Sequence, residues 1–160
     1  MLPIFDLTGK VALVTGCKRG IGFAISEGLA AAGADIIGVS ATLELQQSDI
    51  EKSVIALGRK FYAYQCDFKD RSALYDFIKK VKSAHMVVDI LVNNAGVMDQ
   101  FDPVADVDNH TWERVMAINV TGPFKAMRKA VQLMLPAGKG SIVNISSVGG
   151  LPLLSTNSKK

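Results

Sequence analysis

The stretch Thr15-Gly16-Cys17-Lys18-Arg19-Gly20-Ile21-Gly22 stands between an apolar run at residues 11–14 and an amphipathic segment. Three glycines therefore fall where a buried strand turns into a helix. Glycine permits a tight turn and leaves no side chain between the backbone amides and a ligand, while the first amides of the helix and the positive end of its dipole attract an anion. The spacing predicts a cradle for the pyrophosphate of a dinucleotide. A turn of this kind also arises for steric reasons alone, so the rest of the chain has to support the ligand.

Downstream, short apolar runs alternate with helical patterns. Strands are expected at residues 11–15, 35–40, 60–65, 89–93 and 141–145, and their mostly unbroken apolar character suits a parallel sheet covered on both faces. Helices are expected at 20–32, stopped by Gly33, at 45–57, stopped by Gly58, at 70–83 and at 109–135, with Asp70 and Asn109 as N-caps. Pro123, after Gly122, either kinks the last helix or divides it in two. Right-handed crossovers among such units give an α/β fold, a Rossmann-like doubly wound parallel sheet of five strands. Ligands on such sheets bind beyond the carboxyl ends of the strands.

A chain of 160 residues is sized for one domain, residues 1–160. It is 49% hydrophobic and 21% charged, which argues for a packed core over disorder. A net charge of +3 with interspersed acids and bases, and no basic block beyond Lys159-Lys160, leaves neither a nucleic-acid nor a membrane footprint, so the expected partner is a small molecule. No apolar run near the start is long enough to span or target a membrane, and a cytoplasmic location follows as the simplest expectation. Cys17 and Cys66 show no metal or redox spacing and read as reduced, semi-buried residues; His85 and His110 share no ligand spacing with them, so no metal is expected. Tyr62, Tyr64 and Tyr75 read as packing residues, and Trp112 and Phe124 as packing or subunit-contact residues of a possible homo-oligomer.

The candidate site residues lie at the expected strand ends. An NAD site usually has a carboxylate closing the second strand, about 20 residues past the glycines. Here that place reads Val39-Ser40-Ala41-Thr42, and Lys18 and Arg19 are available as charged donors to a 2′-phosphate. The pattern leans to NADP with NAD left open, since Glu44 lies close by and both basic residues also suit a solvated loop. In Cys66-Asp67-Phe68, Asp67 is either an acceptor for an adenine amino group or an ordinary loop carboxylate. Asn93-Asn94-Ala95-Gly96 closes the fourth strand, where asparagine side chains can brace backbone and the small pair admits a flat ligand.

Taken together and in this order, these pieces resemble the short-chain dehydrogenase/reductase superfamily over nearly the whole chain. Thr15 to Gly22 is similar to its TGxxxGxG loop, Asp67 with Phe68 to its adenine-contacting segment, and Asn93 to Gly96 to its NNAG element. Asn119 resembles the helix Asn of the family, and Ser147, the second of Ser146-Ser147, its catalytic Ser. The nearest branches in character are the ketoacyl reductases and the 2-deoxygluconate dehydrogenases. The resemblance implies hydride transfer between a nicotinamide and a carbonyl or hydroxyl substrate. Ser147 would orient the substrate oxygen, Asn119 would hold a water on the proton path, and Gly16, Lys18, Arg19, Gly20, Ile21, Gly22, Ser40, Asp67, Phe68, Asn94, Ala95 and Gly96 would bind the cofactor.

One departure stands out. The Tyr-x-x-x-Lys motif of the family is absent: no Tyr follows Ser147, and where the motif would stand this chain reads Ser158-Lys159-Lys160. The expectation is an N-terminal portion of a longer oxidoreductase, with the sheet incomplete on its C-terminal side and little turnover alone. The alternative is a noncatalytic NAD(P)-binding module. A flavodoxin-like or methyltransferase domain fits less well, since the loop lacks a Ser/Thr-rich phosphate site and no acid closes the second strand.

Overall fold

The computed structural model describes residues 3–84, 87–98 and 104–147. Its frame is one parallel sheet of five strands, β1 (Val11–Thr15), β2 (Asp35–Ser40), β3 (Phe61–Gln65), β4 (Ile90–Asn93) and β5 (Ser141–Asn144), in the order β3-β2-β1-β4-β5. The first three strands step to one side and the next two to the other, so the order reverses between β1 and β4. Leu13 pairs with Ile37 on one side and with Leu91 on the other, which fixes the register across this switch point.

The apolar runs are unbroken because both faces are covered. On one face Ala12, Val14, Ile36 and Val92 pack under α1 (Gly20–Ala31) and α2 (Asp49–Ala56), which contribute Ala30, Ile50 and Val54. On the other, Leu13, Ile37, Val39 and Leu91 pack under α3 (Arg71–Ala84) and α5 (Gly122–Met134), which contribute Leu74, Phe77, Val81, Ala126 and Ala130. Alternate residues of one strand thus belong to different cores. At β5 this coverage lapses. It forms the edge of the sheet among the described residues, with Val143 43% exposed.

Several expectations shift. The second helix begins at Asp49 rather than 45, because the Ser48 hydroxyl accepts from the Glu51 amide and makes Ser48 the N-cap, while Gln47 before it has a positive φ of 57°. Asp70 does cap α3, its carboxylate accepting from the Ser72 and Ala73 amides. The last helix is capped by Asp108, not Asn109, through the Thr111 amide. That helix is divided: α4 (Asn109–Met116) runs into a π turn (Ala117–Thr121) before α5 begins at Gly122, with Pro123 in its first turn. Gly122 must lack a side chain, since a Cβ there would sit 2.8 Å from the ring of Phe68. Tyr62 and Tyr64 do pack on the core, but Tyr75 is 44% exposed and carries Arg71 and Lys125 against its ring. Cys17 and Cys66 are buried outright, and burial pushes each thiol up to about 11. His85 and Ser158-Lys159-Lys160 lie outside the described residues.

Candidate functional site

At the carboxyl ends of the strands, on the switch point, opens a cleft of about 760 Å³. It is within the usual range for ligand sites, roughly 300–1,000 Å³. Four loops build it: Gly16, Lys18, Arg19, Gly20 and Ile21 after β1; Ser40, Ala41 and Thr42 at the end of β2; Cys66, Asp67 and Phe68 after β3; and Asn94, Ala95, Gly96 and Val97 after β4. Eleven of the predicted cofactor residues are therefore gathered around one space. Gly22 stands behind the loop, where a Cβ would collide with the Gly16 carbonyl oxygen. Its role in the fold is to let α1 approach the strand end.

Gly16 has a φ of +70°, and a Cβ there would lie 2.9 Å from the Ala95 backbone. Gly20, with a φ of +58°, is different: a Cβ added to it meets nothing within 4 Å, so its open side faces the cleft. The N-cap of α1 is Arg19, which makes no side-chain hydrogen bond to the first turn. The leading amides of α1 thus reach the cleft without a side-chain acceptor, the condition under which a helix start takes an anion.

Polar ties fasten the loops to one another. The Thr15 hydroxyl, buried at 1% exposure, accepts from the amides of Asn94 (3.0 Å) and Ala95 (2.9 Å). The Asn94 side chain returns the tie, donating to the carbonyls of Thr15 (3.0 Å) and Gly16 (3.3 Å). On the other side of β1, the Gly16 amide donates to the Val39 carbonyl (2.7 Å) and the Lys18 amide to the Ser40 hydroxyl (3.1 Å).

The charged residues are placed unequally. The Lys18 ammonium is spent on the Thr42 carbonyl and on the Glu44 carboxylate, both at 2.6 Å, and this bond holds the Glu44 carboxyl below its ordinary value. No hydrogen bond or ion pair to another described residue engages the Arg19 guanidinium. Asp67 accepts from the Lys69 amide and lies 3.5 Å from the Lys69 ammonium, the behaviour of a loop carboxylate, while still lining the cleft. Phe68 is 6% exposed and packs toward Phe77, so its ring belongs mainly to the core.

Asn119 and Ser147 do not line the cleft. Asn119 sits in the π turn, and its amide grips Val97 twice, accepting from the Val97 amide (2.9 Å) and donating to the Val97 carbonyl (2.8 Å). A π turn inserts one extra residue into a helix and is often found at functional sites. Here the insertion presents Asn119 to the loop after β4. Ser147 lies on the exposed run beyond β5. Sequence reasoning overlooked three members: Thr15 as the acceptor at the switch point, Thr42 as the second anchor of Lys18, and Asn144. The last accepts from the buried Asn93 side chain (2.8 Å) and ties β5 to β4 beside the register pair Asn93 and Asn144. Thr15 and Asn144 signalled themselves only as polar residues closing apolar strands, and Thr42 as a polar residue two places past one.

Among the described residues, no group of His, Cys, Asp and Glu is placed to hold a metal ion, and no helix is long and apolar enough to cross a membrane.

Residues 10–158 match the profile of the family described as short chain dehydrogenase. A protein of Pseudoalteromonas atlantica named 2-dehydro-3-deoxy-D-gluconate 5-dehydrogenase is 52% identical over 148 residues, which are 92% of this chain and 58% of that protein. A metagenomic short-chain oxidoreductase solved in complex with NADP superposes with a TM-score of 0.85 at 34% identity, covering 91% of this chain and 65% of its own. An NAD⁺-bound xylitol dehydrogenase gives 0.83 at 34% identity, covering 91% and 56%. The chain spans less than two thirds of the length of each of these proteins.

Proposed function

The chain belongs to the short-chain dehydrogenase family, and from that membership we propose that its 160 residues form the nucleotide-binding unit of an oxidoreductase. The cofactor is NADP, with NAD as the second choice, and hydride passes between the nicotinamide and a carbonyl or hydroxyl carbon. The observation that carries this is the uncapped start of α1 opening through Gly20 into the cleft at the β1/β4 switch point. Amides in that position hold a pyrophosphate with no rearrangement. Asp67 and the Ala41 and Thr42 wall then meet the adenosine end, and Ala95 and Gly96 leave room for the flat nicotinamide.

The cofactor, when bound, supplies the hydride chemistry; the chain's own residues bind, orient and exclude water. Asn119 takes a supporting part: Oδ1 accepts one bond from Val97 and Nδ2 donates one to it, so a water on Asn119 uses the second lone pair of Oδ1 or the second hydrogen of Nδ2. Ser147 orients the substrate oxygen. The identity to the Pseudoalteromonas protein favours a keto sugar acid as substrate class. Self-association belongs to the same proposal, because Trp112 and Phe124 are 60% and 57% exposed, and a cytoplasmic setting suits two unpaired thiols.

Titration with NADP⁺ and NAD⁺ tests the proposal. A ligand at about 100 times its Kd adds about 2.7 kcal/mol to the folded state, enough for a melting shift of about 5–10 °C. No shift and no binding heat at millimolar concentrations of either nucleotide would overturn it. A second reading, a nucleotide-binding module without catalysis, is favoured by Asn119 and Ser147 standing outside the lining of the cleft. Both readings predict binding. They part on hydride transfer, which these 160 residues perform only if some group other than a Tyr in that motif moves the proton.

A further inference from the structure

We infer that Glu44 is a specificity-determining residue of the cleft, setting the preference between NADP and NAD by occupying the ammonium of Lys18. The inference rests on the nucleotide-binding reading above and concerns only the end of the cleft where Ser40, Ala41 and Thr42 form the wall.

Lys18 lies 26 residues from Glu44, yet their charged groups meet at 2.6 Å. The meeting is not a chance contact of two loose side chains. On one side the Lys18 amide is fixed to the Ser40 hydroxyl, and the ammonium also donates to the Thr42 carbonyl. On the other, the residue before Glu44 is Leu43, 2% exposed and packed in the core under α1 and α2, with its amide near the Ser40 carbonyl. Both backbones are thus anchored beside the end of β2. Lys18 is 34% exposed and Glu44 54%, so solvent weakens the pair but does not separate it.

The consequence is electrostatic. Two cations flank this wall, but Glu44 cancels one, leaving Arg19 as the uncompensated charge. A ribose with a free 2′-hydroxyl meets the wall of Ser40, Ala41 and Thr42, leaves Lys18 on Glu44, which stands behind that wall, and disturbs nothing. A 2′-phosphate recruits Lys18 only by drawing it away from Glu44, and must lie near a carboxylate of its own sign. Glu44 therefore lowers the affinity for the phosphorylated cofactor without touching the affinity for the other. Arg19 retains a preference for phosphate, and Glu44 sets how large that preference is.

The test compares the wild type with Glu44→Gln, Lys18→Gln and the double variant by calorimetric titration with NADP⁺, NAD⁺ and adenosine 2′,5′-bisphosphate. Glu44→Gln should tighten NADP⁺ and the bisphosphate about tenfold at low salt while moving NAD⁺ by less than about twofold, and the gain should shrink as salt screens the charges. In the Lys18→Gln background the same substitution should change little, because the group it releases is gone. Two results overturn the inference: an unchanged ratio of NADP⁺ to NAD⁺ affinity in Glu44→Gln, or a tenfold gain that persists undiminished without Lys18. If the wild type binds none of the three ligands, the nucleotide-binding reading itself has failed, which is a different outcome. Glu44 is an exposed loop side chain, and unaltered melting of the free variants confirms that folding does not enter the comparison.

Discussion

Replacing Thr15 by Val removes the hydroxyl that accepts from both the Asn94 and the Ala95 amide, and leaves the shape of the side chain almost unchanged. Thr15 is 1% exposed, so no water reaches its position from the core side. Each amide left without a partner costs about 1–3 kcal/mol. Asn94 and Ala95 are only half-buried, however, so each amide falls in the lower part of that range, about 1–2 kcal/mol. The added methyl returns about 0.8 kcal/mol through its burial. The net loss is about 1–3 kcal/mol, a fall of roughly 2–12 °C in Tm for a chain of this size. Thr15→Ser keeps the hydroxyl and loses a methyl, costing about 1 kcal/mol. Urea unfolding of the three proteins measures this directly. Nucleotide titration adds a second readout, since the loop after β4 lines the cleft and loses its anchor in Thr15→Val. If Thr15→Ser is as damaging as Thr15→Val, packing rather than hydrogen bonding holds the switch point, and the account is wrong.

Gly22→Ala should lower both stability and nucleotide affinity, because its Cβ runs into the Gly16 carbonyl; Gly20→Ala, with open space but a φ of +58°, should cost only about 1–2 kcal/mol and still fold, as paired melting and titration would show. Asn119→Ala severs both bonds to Val97 and should destabilise by about 1–3 kcal/mol, with Asn119→Asp intermediate because it keeps the acceptor; urea denaturation checks the ranking. Cys17 and Cys66, whose thiols burial pushes up to about 11, should react with a thiol reagent at pH 8 only at the rate of opening, and rapid labelling of the native protein would refute their burial. The sign for stability follows: an acid whose folded pKa is raised favours the native state fully below its unfolded value near 9, and that contribution is lost as pH rises through about 11. Melting temperature should therefore decline over that alkaline window, and less so in Cys17→Ala.

The strands were legible because a doubly covered parallel sheet writes itself as consecutive apolar residues: 11–15 and 35–40 match β1 and β2 residue for residue, and the others differ only at an end. Gly33 and Gly58 marked helix ends because both adopt positive φ, at 106° and 74°. The start of α2 was misjudged because Leu45 continues an apolar period that Gln47 and Ser48 interrupt through backbone conformation, which periodicity does not register. Proline signalled a break in the last helix but not its form. The π turn at Ala117–Thr121 accompanies two tertiary contacts, Asn119 with Val97 and Gly122 with the Phe68 ring, neither of which is visible along the chain. Glu44 was legible as a neighbour of the cofactor wall, but its bond to Lys18 was not, and that bond changes what Lys18 offers a ligand.

A common logic runs through the polar residues at the strand ends. Thr15 holds the β4 loop to β1, Asn93 donates to Asn144 and holds β5 to β4, and Asn119 holds the divided helix to Val97. The Thr15 hydroxyl, the Asn93 amide nitrogen and the Asn119 amide are committed to protein backbone or to another side chain, and together they tie the loops across the place where the strand order reverses. The leading amides of α1 are not committed, and neither is the open side of Gly20. A polar group buried without a partner is costly, so a fold that satisfies its strand ends by side chains yet leaves a helix start open to solvent reserves that start for an exchangeable acceptor. Water serves when the cleft is empty. An anion serves better, since it meets the same amides with a full charge and the helix dipole behind them. The chemistry assigned to the cleft follows from that contrast between what is tied and what is left open, more than from any single residue.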